Sequence, residues 1–257
     1  MYPSVWGIEF YYVFWGAAIC GMIWWTERRA VLKYGFMYDD ARSVLAWTMC
    51  GVFIGASAGG YIDKTAASRE LACGFSALFN AGLSSGPAFI TGGLFGLYKL
   101  RRRGLSAGRF ADAGAIPTAF MIFVGRWGCF LQGCCVGLPT NSRFGVRFPF
   151  SPGVPRWPSQ ILESAAGLAI GLLLAAIERY RAVRGRDTGG AVLLPLFLVL
   201  YGLYRVFFDF LRPGNGFLGF FALSTAQYSG IIAAVTGICW LIRTHRTYSP
   251  ALKHTDA

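Results

Sequence analysis

Three groups of residues carry the chemistry of this chain. The first lies in residues 125–149, GRWGCFLQGCCVGLPTNSRFGVRFP, where an apolar run still in progress takes on Arg126, Cys129, Gln132, Cys134 and Cys135 among several glycines. A guanidinium keeps its charge, and placing one in hydrocarbon costs about 3 kcal/mol or more. Arg126 therefore needs an anionic partner, a wet cavity or a ligand, and a lipid phosphate suits its planar, bidentate donor geometry. The second group runs from Arg156 through Trp157, Pro158, Ser159 and Gln160 into Glu163, a carboxylate in the opening turns of another apolar run. In the third, Tyr201, Arg205, Asp209 and Arg212 fall at i, i+4, i+8 and i+11, the spacing that puts four side chains on one helix face. Two positive charges against one negative leave an excess for an anion, and ionisable groups in such apolar surroundings point to function.

The elements that position these groups follow from composition. Of the 257 residues, 55% are hydrophobic and 16% aromatic, against 14% charged, and the charges stand in short clusters between long apolar runs. That pattern predicts an all-α polytopic membrane protein, one integral membrane domain over residues 1–257 rather than a soluble fold. The first apolar run lacks a basic n-region and a small-residue cleavage site, so no cleavable signal peptide is expected. Seven spans are predicted, at about 8–26, 43–62, 72–98, 111–131, 159–178, 190–211 and 222–242. The net charge of +12 reflects topology rather than nucleic-acid binding. Sixteen of the 24 basic residues follow the first, third, fifth and seventh spans, among them Arg28, Arg29, Arg103, Arg179 and Arg243. The positive-inside bias makes that side cytoplasmic, with the N-terminus outside, the C-terminus inside and the basic clusters acting as headgroup anchors. Arg126, Arg143, Arg147, Arg156, Arg205 and Arg212 belong to the opposite face, against that bias, where a shared anionic ligand accounts for them.

Two irregular stretches stand out. Residues 82–87, Gly-Leu-Ser-Ser-Gly-Pro, interrupt the third apolar run, and Pro87 removes a backbone donor there. Irregular backbone at membrane depth is tolerated where protein or a cavity covers it, so a cavity-lining break is expected, with small-residue helix packing as the alternative. Between the fourth and fifth spans, residues 143–148 alternate like a short strand, which predicts a small β-element capping the cavity.

In this order along the chain, the sequence resembles the prolipoprotein diacylglyceryl transferase family. The resemblance runs over about residues 10–240 and rests on Tyr11 and Tyr12, Gly55 to Tyr61, and Gly92-Gly93-x-x-Gly96. It continues through Leu105-Ser106 with Asp112 and Pro117, Gly125-Arg126-x-Gly128-x-Phe130, and Val146-x-Phe148-Pro149. Pro158-Ser159-Gln160 before Glu163 and Tyr201-x3-Arg205-x3-Asp209-Phe210-x-Arg212 close the set. It implies a seven-span, multi-pass enzyme of the bacterial inner membrane. Such an enzyme moves the diacylglyceryl group of phosphatidylglycerol to the lipobox cysteine of a prolipoprotein at the periplasmic face. Arg126 and Arg205, with Tyr201 and Asp209, are the catalytic candidates: the arginines stabilise the departing phosphate, Tyr201 hydrogen-bonds it, and Asp209 holds the arginines in orientation. Arg212, Gln160, Glu163, Gly92, Gly93 and Tyr12 are the candidates for holding substrate and shaping the cavity. The implied partners are phosphatidylglycerol or another anionic phospholipid, a prolipoprotein signal peptide and membrane lipids, with no nucleic acid and no cofactor.

The sequence departs from the family at polar positions. Thr91 stands where the family has a histidine, Cys129 where it has asparagine, Trp157 where it has histidine and Ser57 where it has arginine. The only histidines are His245 and His254, on the predicted inner side, so a histidine general base is excluded at the outer face. Three readings follow. In one, the family reaction proceeds with a thiol of pKa ~8.5 that is a few per cent ionised at pH 7. In another, a paralogue moves a lipid group to a different acceptor, with Cys129, Cys134 or Cys135 as nucleophile. In the third, the protein binds lipid or senses redox state without catalysis, and Cys129 pairs with Cys134 or Cys135 in a disulfide, as an oxidising periplasm permits. Small packing residues are the plain alternative for the three cysteines. No metal is expected, because the cluster has no histidine and no second cysteine pair.

Overall fold

The computed structural model describes residues 4–5, 8–68, 85–149, 151–185, 191–212 and 223–248. Among them are seven long helices: α1 (Phe10–Leu32), α2 (Tyr38–Ser68), α3 (Ser85–Arg102), α4 (Ala107–Gln132), α5 (Ser159–Val183), α6 (Leu193–Phe208) and α7 (Thr225–Tyr248). Among the described residues, four segments are long and apolar enough to cross a membrane: Tyr38–Ile62, Ala107–Gln132, Ser159–Val183 and Leu193–Leu211. A two-stranded pair, β1 (Ser4–Val5) with β2 (Ile8–Glu9), precedes α1. The expected strand is there as well: β3 (Val146–Phe148) pairs antiparallel with β4 (Ser151–Arg156), with Val146 opposite Arg156 and Phe148 opposite Ser151. Phe148 is buried and meets Phe130 of α4 edge-on at 5.9 Å, which ties the hairpin to the helix below it.

The chain divides into two compact units, residues 30–107 and residues 1–29 with 108–257. In the smaller unit α2 and α3 pack closely. The Gly92 Cβ position would lie 2.5 Å from Val52 Cγ2, so a side chain there would have to push Val52 aside. Gly93 faces open space. The Thr91 hydroxyl shares its one hydrogen between the Gly51 carbonyl at 2.6 Å and the Pro87 carbonyl at 2.8 Å, so the residue at the family's histidine position serves helix packing. Pro87 sits in the first turn of α3, where its missing N–H costs nothing. The first half of the expected break, residues 82–84, lies outside the described residues.

The larger unit is built on α4, α5 and α6, whose Ala115, Ile116, Ala119, Ile122, Ile170, Leu174, Leu193 and Phe197 form a buried apolar cluster. Two polar devices hold its helices at one end. Pro117, inside α4, has no N–H to bond the carbonyl four residues earlier, which leaves the Ala113 oxygen open. Arg29 Nε donates to that oxygen at 2.9 Å, while its two terminal nitrogens grip Glu178 of α5 at 2.8 and 3.0 Å. Arg29, assigned to the topology-setting charges on its sequence context, thus also bridges three helices through a mostly buried bidentate pair. Beside it the fully buried Asp112 accepts the N–H groups of Val192, Leu193 and Leu194 at 2.9–3.1 Å, capping α6 from a neighbouring helix. Replacing Asp112 by alanine strands three N–H groups. A destabilisation of about 2 kcal/mol is expected, the upper range for a lost cap, read as a lower thermal midpoint in detergent, with Asp112→Asn less affected.

Candidate functional site

At the other end of α4 the charged groups converge on one carboxylate. Glu163, one turn into α5 and 1% exposed, accepts Arg126 Nη2 at 2.5 Å and Tyr201 Oη at 2.8 Å on Oε1. Its Oε2 accepts Arg212 Nη2 at 2.7 Å and Arg205 Nη1 at 3.4 Å. Three arginines from α4, α6 and the turn after α6 thus share one acidic centre. The sequence placed these residues near one another, but gave Asp209 the task of orienting the arginines and Glu163 that of shaping the cavity. Glu163 is the hub, and Asp209 reaches only Arg205, at 3.6 Å.

The reason is local. The helix face shared by Tyr201, Arg205, Asp209 and Arg212 does not continue to its end, because α6 stops at Phe208 and tightens into a 3-10 turn, Asp209–Leu211. Arg212 then becomes extended and swings back onto Glu163, while Asp209 turns away to accept the hydroxyl of Ser224. The recess beside Glu163 is lined by Ser159, Leu162, Tyr204, Arg205, Asp209 and Arg212. Tyr201 stacks between Phe197 and Tyr204, at ring separations of 5.6 and 6.1 Å, which fixes its hydroxyl on Glu163.

The glycines around Arg126 have a packing role that the sequence does not reveal. A Cβ on Gly125 would lie 2.8 Å from the Trp15 ring, and one on Gly128 would lie 3.0–3.1 Å from Phe14 Cβ and the Tyr11 carbonyl. The Gly-Arg-x-Gly run lets α1 press against α4 while Arg126 leaves toward α5. Tyr11 is the tyrosine whose backbone meets α4 here; Tyr12, the sequence candidate, is 64% exposed, with its ring edge-on to Tyr11. Gln160 is fully buried and donates its amide to the Cys134 carbonyl at 2.5 Å, and Ser159 donates to the Cys135 carbonyl at 2.5 Å. Gln160 thus holds the cysteine loop. Arg126 Nε and Gln160 Oε1 are buried and find no hydrogen-bond partner among the described residues.

That loop begins where Gly133, at φ 72°, ends α4. Cys135, at φ 58°, follows it in a region of backbone space that a side chain seldom adopts. The result brings the sulfurs of Cys129, Cys134 and Cys135 within 4.8 Å of one another, all three as free thiols. Hydrogen bonds with Cys129 and Cys134 hold the Cys135 thiol far below the ordinary range, and the nearby Arg126 and Arg212 charges act the same way. Hydrogen bonds with Cys129 and Cys135, together with burial, push Cys134 up.

Membrane-length helices that bury an arginine-rich cluster around one carboxylate define a multi-pass membrane protein. The comparison with known families is more specific. The description of the prolipoprotein diacylglyceryl transferases matches residues 4–243, so the chain belongs to that transferase family. It is similar to the phosphatidylglycerol–prolipoprotein diacylglyceryl transferases of Azospirillum brasilense (32% identity, covering 84% of this chain and 80% of the relative) and Rhodospirillum rubrum (30% identity, 82% and 79%). A shorter likeness, to the second such transferase of Clostridium perfringens, is 35% identical over 44% of this chain and 43% of that protein.

Proposed function

We propose that this protein transfers the diacylglyceryl group of phosphatidylglycerol to a lipobox cysteine at the periplasmic face of the bacterial inner membrane, with its N-terminus outside and its C-terminus inside. The observation that supports this reading is the Glu163 hub. Arg126, Arg205 and Arg212 against Glu163 and Asp209 leave one net positive charge in a mostly buried cluster. A phosphodiester headgroup carries one negative charge and matches it. Arg126 Nε, buried and without a partner among the described residues, is a further donor for a phosphate oxygen.

In the reaction the acceptor's thiolate sulfur attacks the diacylglyceryl carbon that carries the phosphate. A C–S bond forms, the C–O bond to phosphate breaks, and glycerol phosphate departs with the electron pair. Charge grows on the phosphate as that bond lengthens, and prepositioned guanidiniums stabilise it more than they stabilise the diester. Tyr201, fixed by Glu163 and its aromatic neighbours, adds a hydroxyl at the cluster. The acceptor thiol ionises to solvent, since a thiol of pKa ~8.5 supplies a few per cent thiolate at neutral pH.

The direct test reconstitutes the purified protein in phosphatidylglycerol vesicles with a lipobox peptide. Mass analysis should show a diacylglyceryl adduct on the peptide cysteine, with glycerol phosphate released in equal amount. Lipid binding with neither product would overturn catalysis, and an adduct on the protein's own cysteines would overturn the choice of acceptor.

A further inference from the structure

Three free thiols meet at the edge of the arginine cluster, and the transfer reaction has no use for them. Their surroundings are built rather than incidental. Cys129 is buried, and its sulfur receives the Trp15 indole N–H at 3.4 Å and an Arg126 Nη1 N–H at 3.8 Å. Two N–H donors aimed at one sulfur favour charge on it, as such donors do in metal–thiolate sites. Cys134 and Cys135 are held from behind by Gln160 and Ser159 through their backbone carbonyls. Cys135 accepts an unfavourable backbone conformation, and strain of that kind persists only where the surrounding structure enforces it. The sulfurs lie within 4.8 Å of one another, and since metal–sulfur bonds of ~2.3 Å set them about 4.0 Å apart in a trigonal site, a small inward shift closes the group on an ion. Cys135 is exposed, which gives an ion a way in.

We propose that Cys129, Cys134 and Cys135 form a three-thiolate site for a soft, thiophilic d10 metal ion, with three-coordinate Cu(I) as its ion. Zinc sites are almost always four-coordinate, and no fourth histidine, cysteine or carboxylate joins this group among the described residues. Cu(I) is selected by soft thiolates. The sequence argument against a metal, which rested on the absence of histidine and of a second cysteine pair, holds for a four-ligand zinc site and not for this one. Three Cu–S bonds form, each sulfur that still carries a proton loses it to water, and no oxidation state changes. Arg126, whose Nη1 donates to Cys129 Sγ at 3.8 Å, screens part of the negative charge of the resulting complex.

The test uses the full chain in detergent, reduced and without oxygen, titrated with Cu(I) against a chromogenic Cu(I) chelator. One ion per chain is expected, with an X-ray absorption spectrum showing three sulfur neighbours. Cys135→Ser, at an exposed position that leaves packing intact, should weaken binding at least tenfold. The triple variant Cys129→Ser/Cys134→Ser/Cys135→Ser should bind none, whereas Cys20→Ser/Cys50→Ser/Cys239→Ser should bind as the parent does. Thermal midpoints of all variants separate loss of ligands from loss of fold. The proposal is overturned by sub-stoichiometric retention, by Cu(I) affinity unchanged in Cys135→Ser, by preferential retention of Zn(II) in competition, or by a disulfide among the three that binds no Cu(I) after reduction. Transfer activity does not enter these readouts, so a failure here leaves the transferase reading untouched, and the converse holds too.

Discussion

Replacing Glu163 by glutamine is expected to reduce lipid turnover by about 100-fold or more and to lower the thermal midpoint of the protein markedly. The carboxylate is the shared partner of Arg126, Arg205, Arg212 and Tyr201 and is almost wholly enclosed. Without its charge, three guanidiniums are left near one another with only Asp209 beside Arg205. Breaking a buried ion pair by removing one member costs about 3–5 kcal/mol, because the remaining charge stays desolvated. Glutamine keeps the shape and can still accept from Tyr201, so the loss measures charge rather than volume. Glu163→Asp keeps the charge on a shorter arm and should fall between. The paired measurements are the thermal midpoint in detergent and the rate of glycerol phosphate release from vesicles. Wild-type values in both would remove Glu163 from the centre of the site.

Arg126→Leu has the opposite balance between stability and activity. Glu163 would still hold Arg212, Arg205 and Tyr201, so the fold should lose less than it does with Glu163→Gln. Activity should drop by about 100- to 1,000-fold, the loss on removing one prepositioned donor from a developing oxyanion. Arg126→Lys restores a charge but not the planar fork that engages Glu163 through one nitrogen and leaves Nε for a ligand, so rescue should be partial. Arg205→Leu, whose contact with Glu163 is the longest of the three at 3.4 Å, should show the same separation of turnover from stability. Full activity in both leucine variants would sink the phosphate reading.

Much of this arrangement is legible in the sequence. A charge that hydrocarbon will not accept marks Arg126, and against the seven predicted spans the described residues hold seven long helices, four of them long and apolar enough to cross a membrane. The alternation at residues 143–148 foretells one strand, of which 146–148 forms, while its partner at 151–156 has no such signal. The failures have physical causes. Helical spacing puts Asp209 with the arginines, but spacing cannot foresee that the last turn tightens and sends Asp209 to Ser224. Tyr11 and Tyr12 are neighbours about 100° apart on a helix, and periodicity cannot say which of them meets α4. Arg29 has the same sequence context as Arg28, a basic residue after an apolar run. Only Pro117, 88 positions later, creates the open carbonyl that Arg29 fills. The packing of Trp15 on Gly125 and its indole hydrogen bond to Cys129 likewise join residues more than a hundred positions apart.

The Arg29 and Arg126 pairs also impose an order on the birth of the molecule. Each arginine is synthesised before its carboxylate, by 149 residues for Arg29 and Glu178 and by 37 for Arg126 and Glu163. At ~5–20 residues per second of synthesis, Arg126 waits about 2–7 s and Arg29 about 7–30 s for a counter-charge. During that interval neither can rest in lipid without cost, so the nascent α1 and α4 must keep these side chains at the water interface or inside the insertion machinery. The arrival of α5, which brings both glutamates within one helix, is the event that allows the earlier helices to settle. Arg205 and Arg212, made after Glu163, enter a membrane in which their partner is already waiting.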